Sequence, residues 1–136
     1  GYAESGLVVT NGSITLGAPA SRIHIGLGYF CRLITLPLTQ YADGRGTDGR
    51  AKNVSRLTVQ VERTMGMWFG PSTDLMREAK FGLPALYGQP LAAVTEDIDV
   101  TMKGNWGKRK QVVVEQRDPL PLTVLALIPD ATLGGN

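Results

Sequence analysis

A short apolar segment flanked by proline constrains the fold of this chain more than any other feature. Residues Leu122 to Ile128 are nearly all apolar, with Pro121 before them and Pro129 after them. A run this short, bounded by proline, is typical of a strand buried on both faces rather than of a helix. Such a strand needs cover above and below, so we expect most of the chain to be layered around it.

Other segments also show strand patterns, separated by many of the 17 glycines and eight prolines. Asn11-Gly12 predicts a tight hairpin turn, and residues 29–36 predict a second central strand. Ser72 to Asp74 could cap one short helix that runs through Lys80, but Gly82, Pro84, Gly88 and Pro90 prevent a longer one. We therefore predict that residues 72–91 are mostly irregular. The sequence therefore predicts an all-β fold, an antiparallel sandwich or partly open barrel of about eight or nine strands with at most one short helix. The predicted strand segments are 7–10, 13–16, 22–25, 29–36, 53–63, 67–69, 96–102, 111–116 and 122–128.

Length and composition indicate a single globular domain. The 136 residues are 43% hydrophobic and 19% charged, which is typical of a chain with a packed core. We expect residues 1–136 to form one β domain, and the first residue, Gly1, suggests a fragment of a larger protein. No apolar run approaches membrane-spanning length, so we expect no membrane insertion.

The scarcity of reactive side chains argues against an enzyme. Cys31 is the only cysteine and His24 the only histidine, which excludes an internal disulfide, a cysteine-rich zinc site and a two-histidine metal site. Glu96, Asp97 and Asp99 are close in sequence and could serve a carboxylate-dependent hydrolase or bind a cation. Such residues also solvate a strand and discourage edge pairing. We predict no catalytic, cofactor-binding or metal-binding residue.

One glycine-rich segment matches a cofactor motif in letters only. Gly44 to Gly49 reads G-x-G-x-x-G, which binds a dinucleotide when it follows a strand directly and opens a helix. Here Pro37 intervenes upstream, and the residues downstream have the period of a strand. A loop is the better interpretation.

Two basic clusters form a possible interaction surface. A tryptophan beside cationic side chains can bind nucleic acid or another anionic polymer, whereas the alternative is a solvated loop surface. Met67, Trp68 and Phe69 could in turn belong to the core or to a subunit interface. The residues of the possible interaction surface are Arg50, Lys52, Arg56, Trp106, Lys108, Arg109 and Lys110.

Three stretches together resemble a known family. They are Ala18 to Tyr29 with Leu33 to Pro37, then Arg50 to Gly70, then Gln111 to Pro129. In this order they are similar to the C-terminal β region of tail proteins of tailed bacteriophages and prophages, the tubular or nozzle-like group. Members carry a hydrophobic-Gly-Leu-Pro-Tyr strand, a basic patch leading into a strand that ends near Trp-Val-Gly-Pro, and a closing Asp-Pro-Leu-Pro strand. Gly28 stands where proline is usual.

The resemblance implies a structural module of the virion tail, made in the bacterial host cytoplasm. Its partners would be other tail subunits, arranged as a ring in the full-length protein, and it would work close to DNA. No catalytic residue comes with the resemblance. Two rival functions stay open: a carbohydrate-binding or receptor-binding module of the tail tip, with Trp68 or Trp106 stacking on sugars, and a hydrolase built on Glu96, Asp97 and Asp99.

Overall fold

The computed structural model describes residues 3–27, 30–39, 41–42, 45–46, 49–79, 81, 92–104 and 106–134. Within these ranges the regular structure is entirely β, and no helix occurs. The strands are β1 (Cys31–Ile34), β2 (Tyr41–Ala42), β3 (Arg45–Gly46), β4 (Lys52–Thr64), β5 (Met67–Gly70), β6 (Arg77–Ala79), β7 (Val94–Thr101), β8 (Val113–Gln116) and β9 (Val124–Leu133).

Two antiparallel sheets contain seven of the strands in the described part of the chain. One has four strands in the order β1-β8-β5-β6, and the other has three in the order β7-β4-β9. The two-residue strands β2 and β3 form a small separate ribbon. The arrangement confirms the predicted all-β, sandwich-like class, with seven strands in the two sheets rather than eight or nine.

The long strand β4 is the centre of the three-stranded sheet. Its alternation was readable from the sequence, since Leu57, Val59 and Val61 point to one face, and all three are buried. The inner faces of both sheets share one hydrophobic core, which explains why the sheets stack. The core residues are Val54, Leu57, Val59, Val61, Met67, Phe69, Ala79, Val100, Met102, Val112 and Val114.

The segment that dominates the sequence forms an edge strand, not a central one. Most of Leu122 to Ile128 lies in β9, which pairs with β4 on one side only. Val124 and Leu127 pack against the core, whereas Leu125 is 61% exposed and Ile128 is 50% exposed. An edge position also accommodates Pro129, which cannot donate to a second neighbour. The prediction of a strand is confirmed, but its burial on both faces is wrong.

The second predicted central strand, over residues 29–36, is also an edge strand. Only Cys31–Ile34 are in β1, and all four residues are exposed. β1 pairs with β8 alone, and Thr35 extends the contact by donating its N–H to the Val112 carbonyl at 3.0 Å. A pattern of apolar residues on both faces therefore does not distinguish these edge strands from central ones.

Residues 3–27, called the arm from here on, pair with no strand of either sheet. The Asn11-Gly12 turn is confirmed, with positive φ angles of 50° and 76° and a single bridge between Thr10 and Ser13. The predicted strands on either side of this turn, and the one over residues 22–25, do not form. Outside that turn, the Gly17 N–H donates to the Glu4 carboxylate at 3.0 Å.

The described residues from 72 to 79 form no helix, which is consistent with the prediction of at most one short helix. A turn closed by the Leu75 N–H and the Ser72 carbonyl, 3.2 Å apart, leads into β6, which pairs with β5. Serine, threonine and aspartate favour turns as well as helix N-caps, so the cap signal was ambiguous. Lys80 and residues 82–91, predicted to be irregular, lie outside the described residues.

Candidate interaction surface

The two basic clusters of the sequence meet at one end of the three-stranded sheet. The Lys52 N–H donates to the Gly107 carbonyl at 2.9 Å, and the Gly107 N–H donates to the Lys52 carbonyl at 3.0 Å. This pair of bonds joins the start of β4 to the turn that carries Trp106 and the following cations. Residues more than fifty positions apart in the sequence thereby become neighbours.

Gly134, just after β9, holds the aromatic and cationic groups together. Its N–H donates to the Ala51 carbonyl at 2.8 Å, and its carbonyl accepts from Nη2 of Arg50 at 3.0 Å. A Cβ at this position would lie 3.4 Å from Cζ3 of Trp106, so the indole packs against the glycine. Arg50 and Trp106 therefore both contact the backbone at Gly134.

Four of the seven predicted residues are exposed at this place, and they define the basic–aromatic surface: Arg50, Trp106, Lys108 and Arg109. The indole of Trp106 is 54% exposed. Lys52 and Lys110 are buried beneath the same turn, and Cε of Lys110 would be 3.1 Å from a Cβ at Gly107. Nζ of Lys52 is buried and has no hydrogen-bond partner.

Arg56 does not join this surface. It is exposed in β4, where it pairs in register with Asp130 of β9 and Thr101 of β7. The structure thus brings together six of the seven predicted residues, four at the surface and two below it.

Two of the three carboxylates considered for hydrolysis accept hydrogen bonds from the neighbouring strand β4 of their own sheet. The Thr58 hydroxyl donates to Asp99 Oδ1 at 2.5 Å, and the Gln60 amide donates to Asp97 Oδ2 at 3.3 Å. Asp99 also lines an open cavity of about 380 Å³ between β6 and β7, together with Glu78. Across the described ranges, no three His, Cys, Asp or Glu side chains are grouped as metal ligands. His24 is exposed on the arm.

An ion-pair network in the four-stranded sheet was not predicted. Glu115 of β8 is 1% exposed, yet both carboxylate oxygens are bound: Nε of Arg32 donates to Oε1, and Nε of Arg117 donates to Oε2 at 2.9 Å. Glu115 lies directly opposite Arg32 on β1 and Trp68 on β5. The one sequence feature that could have indicated this network is Arg32, the single charged residue in an otherwise apolar segment.

The network also covers aromatic rings. The Arg117 guanidinium lies 4.4 Å from the centre of the Trp68 ring, and that of Arg32 lies 5.2 Å from the Phe30 ring. Both distances are within the range of cation–π attraction. Because Arg117 occupies a face of Trp68, Trp106 is the more accessible of the two indoles.

Opposing effects set the pKa of Glu115. Burial raises this pKa, whereas the hydrogen bonds from Arg117 and Arg32 and the charges of both arginines lower it. The lowering effects together are larger, so the pKa lies below its ordinary value. The carboxylate is therefore ionised at neutral pH and fastens the edge strand β1 to β8.

Comparison of the chain with models of known protein families gave no match, and comparison with curated protein sequences gave none either. Within the described ranges, no helix is long and apolar enough to cross a membrane.

Proposed function

We propose that this protein is a structural assembly module of a bacteriophage tail, of the tubular or nozzle-like group, whose exposed apolar segments are covered by neighbouring tail subunits. In this proposal the chain has no catalytic role. The resemblance of its strand-and-turn motifs supports the class of protein, and the distribution of apolar side chains supports assembly.

The observation that carries the proposal is the exposure of aliphatic side chains along the arm and β1. Leu27 is 97% exposed, and the chain around it carries more large apolar groups in contact with solvent than isolated surface residues would explain. These residues are Leu7, Val8, Val9, Ile23, Ile25, Leu27, Phe30, Leu33, Ile34 and Leu36. Exposed apolar groups that are concentrated in one stretch of the chain, rather than scattered singly, are typical of a protein interaction site.

Covering these groups would supply enough free energy for association. Transfer of one fully exposed leucine or isoleucine side chain into an apolar contact contributes about 1.5–3 kcal/mol. The arm alone carries six aliphatic residues that are between 42% and 97% exposed, three of them at Leu7 to Val9. Even with partial burial, their sum exceeds the lower estimates of the cost of association, about 4 kcal/mol. A ring would repeat this gain at every contact.

The proposal is tested by the mass of the particle in solution. We expect size-exclusion chromatography with light scattering to show oligomers that dissociate on dilution. Replacing Ile25 and Leu27 by serine should leave a folded monomer, because the arm makes no contribution to the core. The matched control is Leu75→Ser, which removes a side chain that is 60% exposed at a distant turn and should not alter assembly. A monomeric wild-type chain, or an unchanged double variant, would contradict the proposal.

The assignment to phage tails is tested separately by the genes beside the coding sequence. Genes for portal, capsid and tail-fibre proteins are expected there. Oligomers without such neighbours would support assembly and oppose the phage assignment.

A further inference from the structure

Positive charge is concentrated at the place where three segments of the chain meet. Residues 49–53, 106–110 and 132–134 contain five cationic residues and no acidic one, although the whole chain has a net charge of only +2. Hydrogen bonds of Lys52 with Gly107 and of Gly134 with Ala51 hold the three segments together. The low overall charge therefore conceals one strongly basic place on the molecule.

An exposed indole lies in the segment that carries Lys108 and Arg109. Trp106 packs one part of its ring against Gly134 and leaves 54% of its surface in water. Nη2 of Arg50 donates to the carbonyl of Gly134, the residue against which the ring packs. Lys108 and Arg109 follow in the same turn and are exposed. A fixed aromatic ring between cations can stack on a flat group while the cations bind the charges attached to it.

A buried amine adds to the attraction for anions. Lys52 is 1% exposed, and its Nζ has no hydrogen-bond partner. Its main chain is bonded to Gly107, between Trp106 and Lys108. An uncompensated positive charge inside a protein is costly, and an anion bound nearby reduces that cost.

We infer that the basic–aromatic surface binds a single strand of nucleic acid, with a base stacked on Trp106 and phosphates bound by Arg50, Lys108 and Arg109. Unpaired bases present an open ring face, whereas a duplex hides its bases between their neighbours. An acidic protein would satisfy the cations but would leave the indole without a matching ring. The inference uses none of the arm residues and does not rest on the proposed assembly.

Fluorescence anisotropy with a labelled oligothymidylate tests this inference. We compare it with an abasic oligonucleotide of the same length, with duplex DNA and with polyglutamate. The oligothymidylate should bind most tightly, because only it offers both phosphates and free bases. Trp106→Ala should weaken its binding about 5- to 150-fold and barely change the binding of the abasic strand. Trp106→Phe should restore part of the loss.

The cations are tested through the salt dependence of binding. Arg109→Ala should weaken binding to both single strands and reduce the slope of log K against log salt by about 0.7. Arg77→Ala, the same change in charge on β6 of the other sheet, is the control and should leave the slope unchanged. Absence of binding at low salt, equal binding of oligothymidylate and polyglutamate, preference for duplex DNA, or unaltered binding by Trp106→Ala would each overturn the inference.

Discussion

Replacing Glu115 by glutamine tests whether the buried ion-pair network stabilises the fold. The amide has nearly the volume of the carboxylate, but it offers one acceptor oxygen instead of two. Arg32 and Arg117 each donate to a different oxygen, so one of them must face an N–H₂ group after the substitution. The variant removes one charge-assisted hydrogen bond and the attraction of both guanidiniums without leaving a cavity.

The size of the stability loss depends on the buried glutamate and on the partly exposed arginines that bind it. A hydrogen bond to a charged group contributes about 1.5–3 kcal/mol. The side chains of Arg32 and Arg117 are 37% and 42% exposed, so water compensates part of the loss. We expect Glu115→Gln to lower the free energy of unfolding by about 2 kcal/mol at pH 7. For a domain of this size, the midpoint temperature would fall by about 5–10 °C.

The pH dependence of this difference distinguishes the network from simple packing. The folded-state pKa of Glu115 lies below its ordinary value of 4.5. Its stabilising contribution is therefore complete above the pKa of the unfolded chain and is lost as the pH falls through the folded-state pKa. The gap between wild type and Glu115→Gln should thus narrow below about pH 4.5. The other carboxylates are the same in both proteins, so their contribution to the pH dependence cancels in the comparison.

Urea unfolding followed by tryptophan fluorescence measures this gap. The Trp106→Phe background leaves Trp68, which Arg117 covers, as the single indole reporter. Glu62→Gln, the same substitution at an exposed position of β4, should change stability by less than about 0.5 kcal/mol. A Glu115→Gln variant as stable as the wild type at pH 7, or a gap of constant size down to pH 2, would refute the reasoning.

Two further pairs of variants test packing. Leu57→Ala, at a fully buried position of β4, should lower the free energy of unfolding by about 2–5 kcal/mol in urea titrations, whereas Leu125→Ala on the exposed face of β9 should cost less than about 0.5 kcal/mol. An equal loss at both positions would contradict the exposure of Leu125 on the outer face of β9. Gly70→Ala places a Cβ 2.2 Å from the Leu75 carbonyl oxygen and should cost about 1–3 kcal/mol by thermal unfolding, while Gly66→Ala meets no atom within 4 Å and should cost nothing. Similar midpoint temperatures for these two variants would contradict this prediction, because they would show that the turn after β5 moves to accommodate the added Cβ at little cost.

The parts of the fold that could be predicted are those with a strict local signal. The two-residue alternation of β4 identified its buried face, and Asn11-Gly12 identified a turn with positive φ angles. The possible helix cap at Ser72 to Asp74 is instead a turn, because capping residues also form turns. Strand order and edges depend on pairing between distant segments, which single-sequence patterns do not report.

The interaction surface was predictable in composition but not in geometry. Charge and aromaticity selected Arg50, Trp106, Lys108 and Arg109 from two separate segments. The bridge between β4 and the turn at Gly107 brings those segments together, with Gly134 contacting both Arg50 and Trp106. The burial of Lys52 could not be foreseen either, because a long alkyl chain lets a cation sit on either side of the surface.

The positions where the patterns overestimate burial have a property in common. The patterns predict inward-facing apolar residues in three segments, and each of these segments exposes large apolar side chains in the single chain. The segments are residues 22–25, 29–36 and 122–128. Exposed apolar side chains that are grouped along the chain are typical of a surface that another protein covers. Under the proposed assembly, neighbouring subunits would cover the arm and β1. The sequence patterns over these two segments would then describe burial in the assembled particle rather than in the single subunit.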